Sequence, residues 1–268
     1  MSFFNTTETD PLIVAALHLP DLAVARDTSM AFLEDYVAAN TEVFVKAGIR
    51  RIMLQDQTRQ YGPATPATVA VTSALGRSMK LQFPEISLGI IVQAHDAIAP
   101  LAIAHASGAD FVRLKIFVGA AMTIEGTKEA LAAQARAYRH DLRRDDIAIL
   151  ADVFDRTCVP LIDIPPQEAA VAAVRMGADA LVLTGSSFED SLARITAAKA
   201  AGVRRPIFLG GSVDASNVAK SLKVADGAIV SSSLMLKGAK ANSTLQWDIE
   251  KAKRFMDAAN ASERESAA

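Results

Sequence analysis

The chain has 268 residues, 51% of them apolar, with 28 basic against 30 acidic side chains and a formal net charge of −2. That balance offers no basic surface for nucleic acid or an anionic membrane, and no apolar run approaches the roughly 20 residues that span a bilayer. The polar start, Met1 to Asp10, lacks a signal-peptide core, and the single cysteine, Cys158, excludes an intrachain disulfide. A cytoplasmic protein with no nucleic-acid partner and no stable membrane insertion is expected.

The length suits one (β/α)8 barrel, which typically takes about 250 residues. Leu12–Leu17, set between Pro11 and His18-Leu19-Pro20, reads as a strand buried on both faces. A helix from about Ser29 to Ala47 follows, and Gly48 stops it. The second strand is Arg51–Gln55, after which Thr65-Pro66 supplies a cap and a first-turn proline for a helix to about Lys80. The third is Ser87–Val92, and Asp96 caps a helix that ends at Ser107 before Gly108. The fourth, Phe111–Val118, runs into Gly119; the connection from Ala120 to Glu125 leads to a helix through about Arg143. The fifth is Ile147–Asp152, followed by a helix that Pro165-Pro166 opens and that ends near Gly177. The sixth is Ala180–Leu183, with a helix from about Phe188 to Ala201 behind it.

The seventh and eighth strands begin at Pro206 and Ala225 and run into small residues, Gly210-Gly211-Ser212 and Ser231-Ser232-Ser233. Asp214 is the cap expected for a helix over Ala215–Lys223. An amphipathic helix from about Leu245 to Ala261 closes the chain, and Ser262–Ala268 are expected to fray. Eight strands separated by helices predict a closed parallel (β/α)8 TIM barrel in a single domain over residues 1–268, its core about 11–240.

A short repeat accompanies the strands. Gly108-Ala109-Asp110 precedes the fourth, Gly177-Ala178-Asp179 the sixth, Val224-Ala225-Asp226 the eighth and, weakly, Ala47-Gly48-Ile49 the second. Registered on these turns, Gln55, Lys115, Thr184 and Ser231 fall at equivalent strand ends and are expected to share a layer at the barrel mouth.

Barrels of this class carry their sites at the C-terminal strand ends, with phosphate held by the loops after strands seven and eight. Glycine lets a backbone approach a ligand closely, and a helix start offers unpaired N–H groups and a positive dipole end. The expected phosphate contacts are Gly210, Gly211, Ser212, Ser231, Ser232 and Ser233, with Gly185 after strand six. The other polar residues at strand ends divide into proton-transfer candidates, His18, Asp56, Lys115 and Asp152, and substrate contacts, Gln55, Gln93, His95, Arg113 and Thr184. Asp96 is explained by capping alone, and His105 and His140 fall inside helices. Arg113 and Lys115 are two apart and share one face of their strand, where Asp152 or Asp56 could pair with them. His18, Asp56, His95 and Asp152 could converge on a divalent metal, but no ligand spacing demands one, so no metal ligand or other cofactor is assigned.

The ordered set His18-Leu19-Pro20, Asp96-Ala97-Ile98-Ala99, Gly108–Arg113, Ala151-Asp152-Val153, Ala178–Gly185, Asn217-Val218 and Ala225-Asp226-Gly227 resembles the BtpA family from the first strand to the eighth. The resemblance implies a phosphate-binding barrel of the ribulose-phosphate-binding kind. It also implies two settings, photosystem I assembly and, for SgcQ-like relatives, sugar-utilisation gene groups, without a reaction. The chain departs from the family pattern at Gln55-Asp56, His95-Asp96, Lys115 and Arg156-Thr157, all at the mouth. The expectation is an isomerase, epimerase or lyase acting on a small phosphorylated sugar or related metabolite, as a homo-oligomer. The alternatives are a non-catalytic assembly factor of the photosystem I type and, by analogy with other barrels, a class I aldolase with Lys115 as its Schiff-base lysine.

Overall fold

The computed structural model describes residues 4, 11–25, 27–58, 60, 62–154, 157–240 and 242–266, the side chains of 262–266 apart. In chain order the strands are β1 (Leu12–His18), β2 (Arg51–Gln55), β3 (Ser87–Ile91), β4 (Phe111–Leu114), β5 (Ala121–Thr123), β6 (Gly126–Lys128), β7 (Ala148–Asp152), β8 (Cys158–Pro160), β9 (Ala180–Leu183), β10 (Ile207–Gly210) and β11 (Gly227–Val230). The helices are α1 (Met30–Lys46), α2 (Pro66–Gln82), α3 (Ile98–Ser107), α4 (Ala132–Asp141), α5 (Pro166–Arg175), α6 (Phe188–Ala200), α7 (Val218–Leu222) and α8 (Ile249–Ser266). Eight strands close into a parallel barrel in the order β1-β11-β10-β9-β7-β4-β3-β2, as the alternation of apolar runs and helices predicted.

Local chemistry sets the helix ends. Ser29, Thr65 and Ser187 each accept a backbone N–H three residues on, and Gly108, in the left-handed region at φ 77°, ends α3. Alternate side chains of the strands separate two cores. One lies between barrel and helices; the other, inside the barrel, holds Val14, Met53, Phe111, Leu150, Val182 and Phe208 among others. Phe4 plugs the lower end of that inner core, edge-on to Phe111 at 5.6 Å and to Phe208 at 5.3 Å. Extending the same alternation upward carries His18, Gln55, Gln93, Arg113, Asp152, Thr184, Gly210 and Ser231 toward the mouth.

The repeat is a structural device. Asp110 accepts the N–H of Leu88 at 2.8 Å and pairs with Lys80; Asp179 accepts that of Ile149 at 2.9 Å and pairs with Arg139; Asp226 accepts that of Ile207 at 2.8 Å and pairs with Lys199. Each carboxylate ties the start of its own strand to the start of a neighbour and to a helix cation.

Several boundaries differ from the sequence reading. β4 ends at Leu114, not Val118, because Ile116 turns into the left-handed region at φ 49°. Residues 120–128 form the β5–β6 hairpin instead of a plain connection, and β8 pairs with β5, giving a three-stranded sheet beside the mouth. This sheet exposes Met122 and Val159, which pair across β5 and β8, with Leu161 and Ile162 next to them, and Ile124 at the hairpin turn is exposed beside the cleft. Asp214 does not cap a helix at Ala215: its carboxylate accepts from Ser216 N at 2.8 Å and Ser216 Oγ at 2.6 Å, and α7 begins only at Val218. The helical backbone of α8 continues to Ser266, past the expected end at Ala261. Among the described residues no helix is long and apolar enough to cross a membrane.

Candidate active site at the barrel mouth

His18, the last residue of β1, is framed from three sides. Its carbonyl accepts the Tyr36 hydroxyl at 2.9 Å, its ring meets Trp247 edge-on at 6.2 Å, and its Nε2 lies 3.2 Å from Ser231 Oγ. Trp247 is held in turn by Asn40, whose Oδ1 accepts the N–H groups of Gln246 and Trp247 and whose Nδ2 donates to the Tyr36 and Thr244 carbonyls. The tautomer follows from proton counting. Ser231 has one hydroxyl proton, and it goes to the Ala16 carbonyl at 2.7 Å. Ser231 Oγ must therefore accept from His18 Nε2–H, which leaves the ring's lone pair on Nδ1. Burial, and then the positive charge of Arg113, hold the His18 pKa below its ordinary 6.5, so the neutral ring dominates at neutral pH.

Arg113, near the end of β4, donates Nε and Nη2 to the two oxygens of Asp152 at 3.1 and 3.0 Å. Asp152 is almost wholly buried, so this forked pair holds the guanidinium in one orientation. Asp152, expected as a proton-transfer group, is placed to position Arg113. Asp56 is also fully buried, and its oxygens accept the N–H groups of Thr58 at 3.1 Å and Gln93 at 3.3 Å. It clamps two loops together and is not presented to the mouth.

Lys115 donates to Gln93 Oε1, and His95 Nε2 contacts the Glu129 carbonyl at 2.7 Å. Burial lowers the His95 pKa most, the Glu129 contact opposes it, and the charges of Lys128 and Lys115 add to the lowering. Gln93, His95 and Lys115 line a cleft of ≈ 170 Å³ walled by the β5–β6 hairpin through Thr123, Glu125 and Lys128. Asp96 caps as expected, accepting the N–H groups of Ile98 and Ala99, and its other oxygen accepts that of Ala64.

On the opposite rim, Gly211 and Ser212 both lie in the left-handed region, at φ 76° and 58°. For Ser212 that conformation is strained, and such strain clusters at functional sites. Ser233 Oγ donates to the Val213 carbonyl at 2.8 Å, which ties the loop after β11 to the loop after β10. Ser232 begins a single 3₁₀ turn beside them. Gly210 and Gly185 have packing reasons of their own. A side chain at Gly210 would strike Thr184 and Val182, and Thr184 Oγ1 already donates to the Gly210 carbonyl at 2.9 Å. Gly185 sits against Asp190 and Ser191, and its N–H is bonded to Ser191 Oγ. The four positions expected to share a layer stand alike at their strand ends: Gln55 closes β2 level with His18, and Lys115, Thr184 and Ser231 are each the first residue after β4, β9 and β11.

The BtpA family profile matches residues 9–261. The chain belongs to the BtpA family. The photosystem I biogenesis protein BtpA of Synechocystis sp. is 28% identical over 245 residues, which cover 89% of this chain and 85% of that one. Among solved structures, 3-hexulose-6-phosphate synthase superposes with a TM-score of 0.55 at 15% identity, covering 92% of this chain and 99% of the other. KGPDC from Streptococcus mutans gives 0.55 at 15%, covering 94% and 98%. At such identity these two structures speak to the barrel alone.

Of the positions the sequence reading set apart from the BtpA pattern, His95, Asp96, Lys115 and Thr157 border the cleft; Arg156 lies outside the described residues. His18, Asp56, His95 and Asp152 do not meet: each is engaged with a different partner, and among the described residues no group of three His, Cys, Asp or Glu side chains stands where it could hold a metal. Sequence reasoning missed the frame of His18, namely Tyr36, Asn40 and Trp247, and the hairpin wall. The one tryptophan of the chain was the available signal for the first. The Glu125-Gly126 dipeptide between two three-residue strands was a weak signal for the second.

Proposed function

We propose that this BtpA-family barrel is an enzyme that moves a proton on a phosphorylated sugar or similar small metabolite, as an isomerase, epimerase or lyase. One observation carries the reading: His18 is kept neutral and its Nε2–H is committed to Ser231, so Nδ1 is a base in a site that also holds a fixed guanidinium. A base of that kind removes a proton next to a carbonyl, and Arg113 stabilises the negative charge that develops on the carbonyl oxygen. Asp152 keeps Arg113 in place. The loops after β10 and β11, joined through Ser233 and Val213, supply the phosphate seat near Gly211, Ser212 and Ser232. The name of one structural neighbour, 3-hexulose-6-phosphate synthase, is in keeping with a phosphorylated substrate, an analogy at the level of the fold.

The test is a panel of sugar phosphates incubated in D2O and followed by proton NMR. Exchange of a proton next to the carbonyl is expected for at least one, slowed by on the order of a hundredfold or more in His18→Asn at unchanged melting temperature. No exchange across the panel, or undiminished exchange in His18→Asn, contradicts the reading. For the Schiff-base alternative, borohydride trapping with small aldehydes and ketones should give no adduct that depends on Lys115.

A docking role is the second reading. The name of the Synechocystis relative favours it, as does the exposed apolar side of the β6-β5-β8 sheet, a surface that a protein partner would cover. Absence of exchange together with capture of a defined partner that Val159→Asp abolishes would select it.

A further inference from the structure

The β3–β4 side of the mouth brings three cations from three pieces of chain to one cleft: Arg113 from β4, Lys115 from the turn after it, and Lys128 from β6. Arg113 gives two of its five N–H groups to Asp152. Lys115 donates to Gln93. Lys128 stands 3.4 Å from Glu125, near the outer limit of an ion pair, and Glu125 is itself about a third exposed. Ile116, directly after Lys115, is β-branched and left-handed at φ 49°, a strained conformation that turns the chain where Lys115 enters the cleft.

The topology gives this cluster a partner. In the closed ring β4 stands four places from β11, and β3 four places from β10. The cleft, with Arg113 in it, therefore lies across the mouth from the phosphate loops, and His18 touches Ser231 on the loop side.

We infer that the substrate carries a carboxylate at the end opposite its phosphate, and that Arg113, Lys115 and Lys128 hold it. This rests on the phosphate reading of the loops after β10 and β11. A planar guanidinium flanked by ammonium groups suits a two-oxygen anion, and a small cleft admits a terminal carboxylate while the carbon chain crosses to the other rim. The substrate class narrows from sugar phosphates in general to phosphorylated sugar acids.

Calorimetric titration of the full chain with gluconate 6-phosphate and glucitol 6-phosphate tests this, since the two share six carbons and the phosphate and differ at C1. The acid is expected to bind about tenfold tighter or better, the usual worth of a charge-assisted hydrogen bond. Lys115→Met and Lys128→Met should each bring its Kd to that of glucitol 6-phosphate, with thermal melts verifying the fold. Equal affinity of the two esters for the unsubstituted protein, a preference that survives both substitutions, or binding of neither ester would overturn the inference. Failure of the phosphate reading looks different: gluconate would then bind as tightly as its 6-phosphate, and inorganic phosphate would not bind.

Discussion

The two rims of the barrel use charge in opposite ways. At the lower rim Asp110, Asp179 and Asp226 repeat one arrangement, a carboxylate on a neighbouring strand's N–H and on a helix cation. At the upper rim the partners change from strand to strand: His18 on Ser231, Arg113 on Asp152, Lys115 on Gln93, Thr184 on the Gly210 carbonyl. Repetition marks a solution to a folding problem that every strand pair shares. A set of single, unlike contacts, several of them buried, answers a problem posed once, which is what a ligand does.

Substitutions at the two rims should therefore separate stability from binding. The largest stability effect belongs to the upper rim. Asp152→Asn leaves the partly buried Arg113 charge without its fork, which costs up to about 3–5 kcal/mol in chemical denaturation, and it should lower turnover as well because the guanidinium is no longer held. A variant as stable and active as the parent would remove the pair from the site. Asp179→Ala at the lower rim should cost less, about 1–3 kcal/mol, for the stranded N–H of Ile149 and the lost Arg139 pair. Ligand affinity should not change, and a changed Kd would break the division between rims.

The smallest effect is in pH. His18 acts as a base only when neutral, so kcat/KM should be flat above its lowered pKa and fall as pH drops through it, with the midpoint below 6.5. In Arg113→Gln the charge contribution disappears and the midpoint moves up. It should stay under 6.5, because burial is the larger cause. A midpoint at or above 6.5 in the parent protein would contradict His18 as the base.

Much of this was legible in the sequence because strand period and barrel geometry act together. Alternation along Phe111–Leu114 puts Arg113 inside, and a carboxylate at the end of the next strand of the barrel puts Asp152 beside it. Asp56 was counted with the mouth because it directly follows the second strand, but neighbouring strand residues point to opposite faces and its carboxylate is used by the Thr58 and Gln93 N–H groups. Asp214 was misread for a related reason: a carboxylate ahead of small residues satisfies a tight Asp-x-Ser turn as well as a helix start. The β5–β6 hairpin escaped because strands of three residues carry too little periodicity to register. The frame of His18 escaped because it joins residues more than 200 positions apart, Asn40 and Trp247, through backbone groups that any sequence supplies.

The claim on which the account turns is that a phosphate sits between the loops after β10 and β11. Calorimetric titration of glucitol 6-phosphate into the parent protein and into Gly211→Asp tests it most directly. Gly211 lies at φ 76° beside the proposed seat, so an aspartate there adds strain and a negative charge where the anion would lie. Measurable binding to the parent and none to Gly211→Asp is expected, with the folded state retained by circular dichroism. Equal affinity of the two proteins would contradict it.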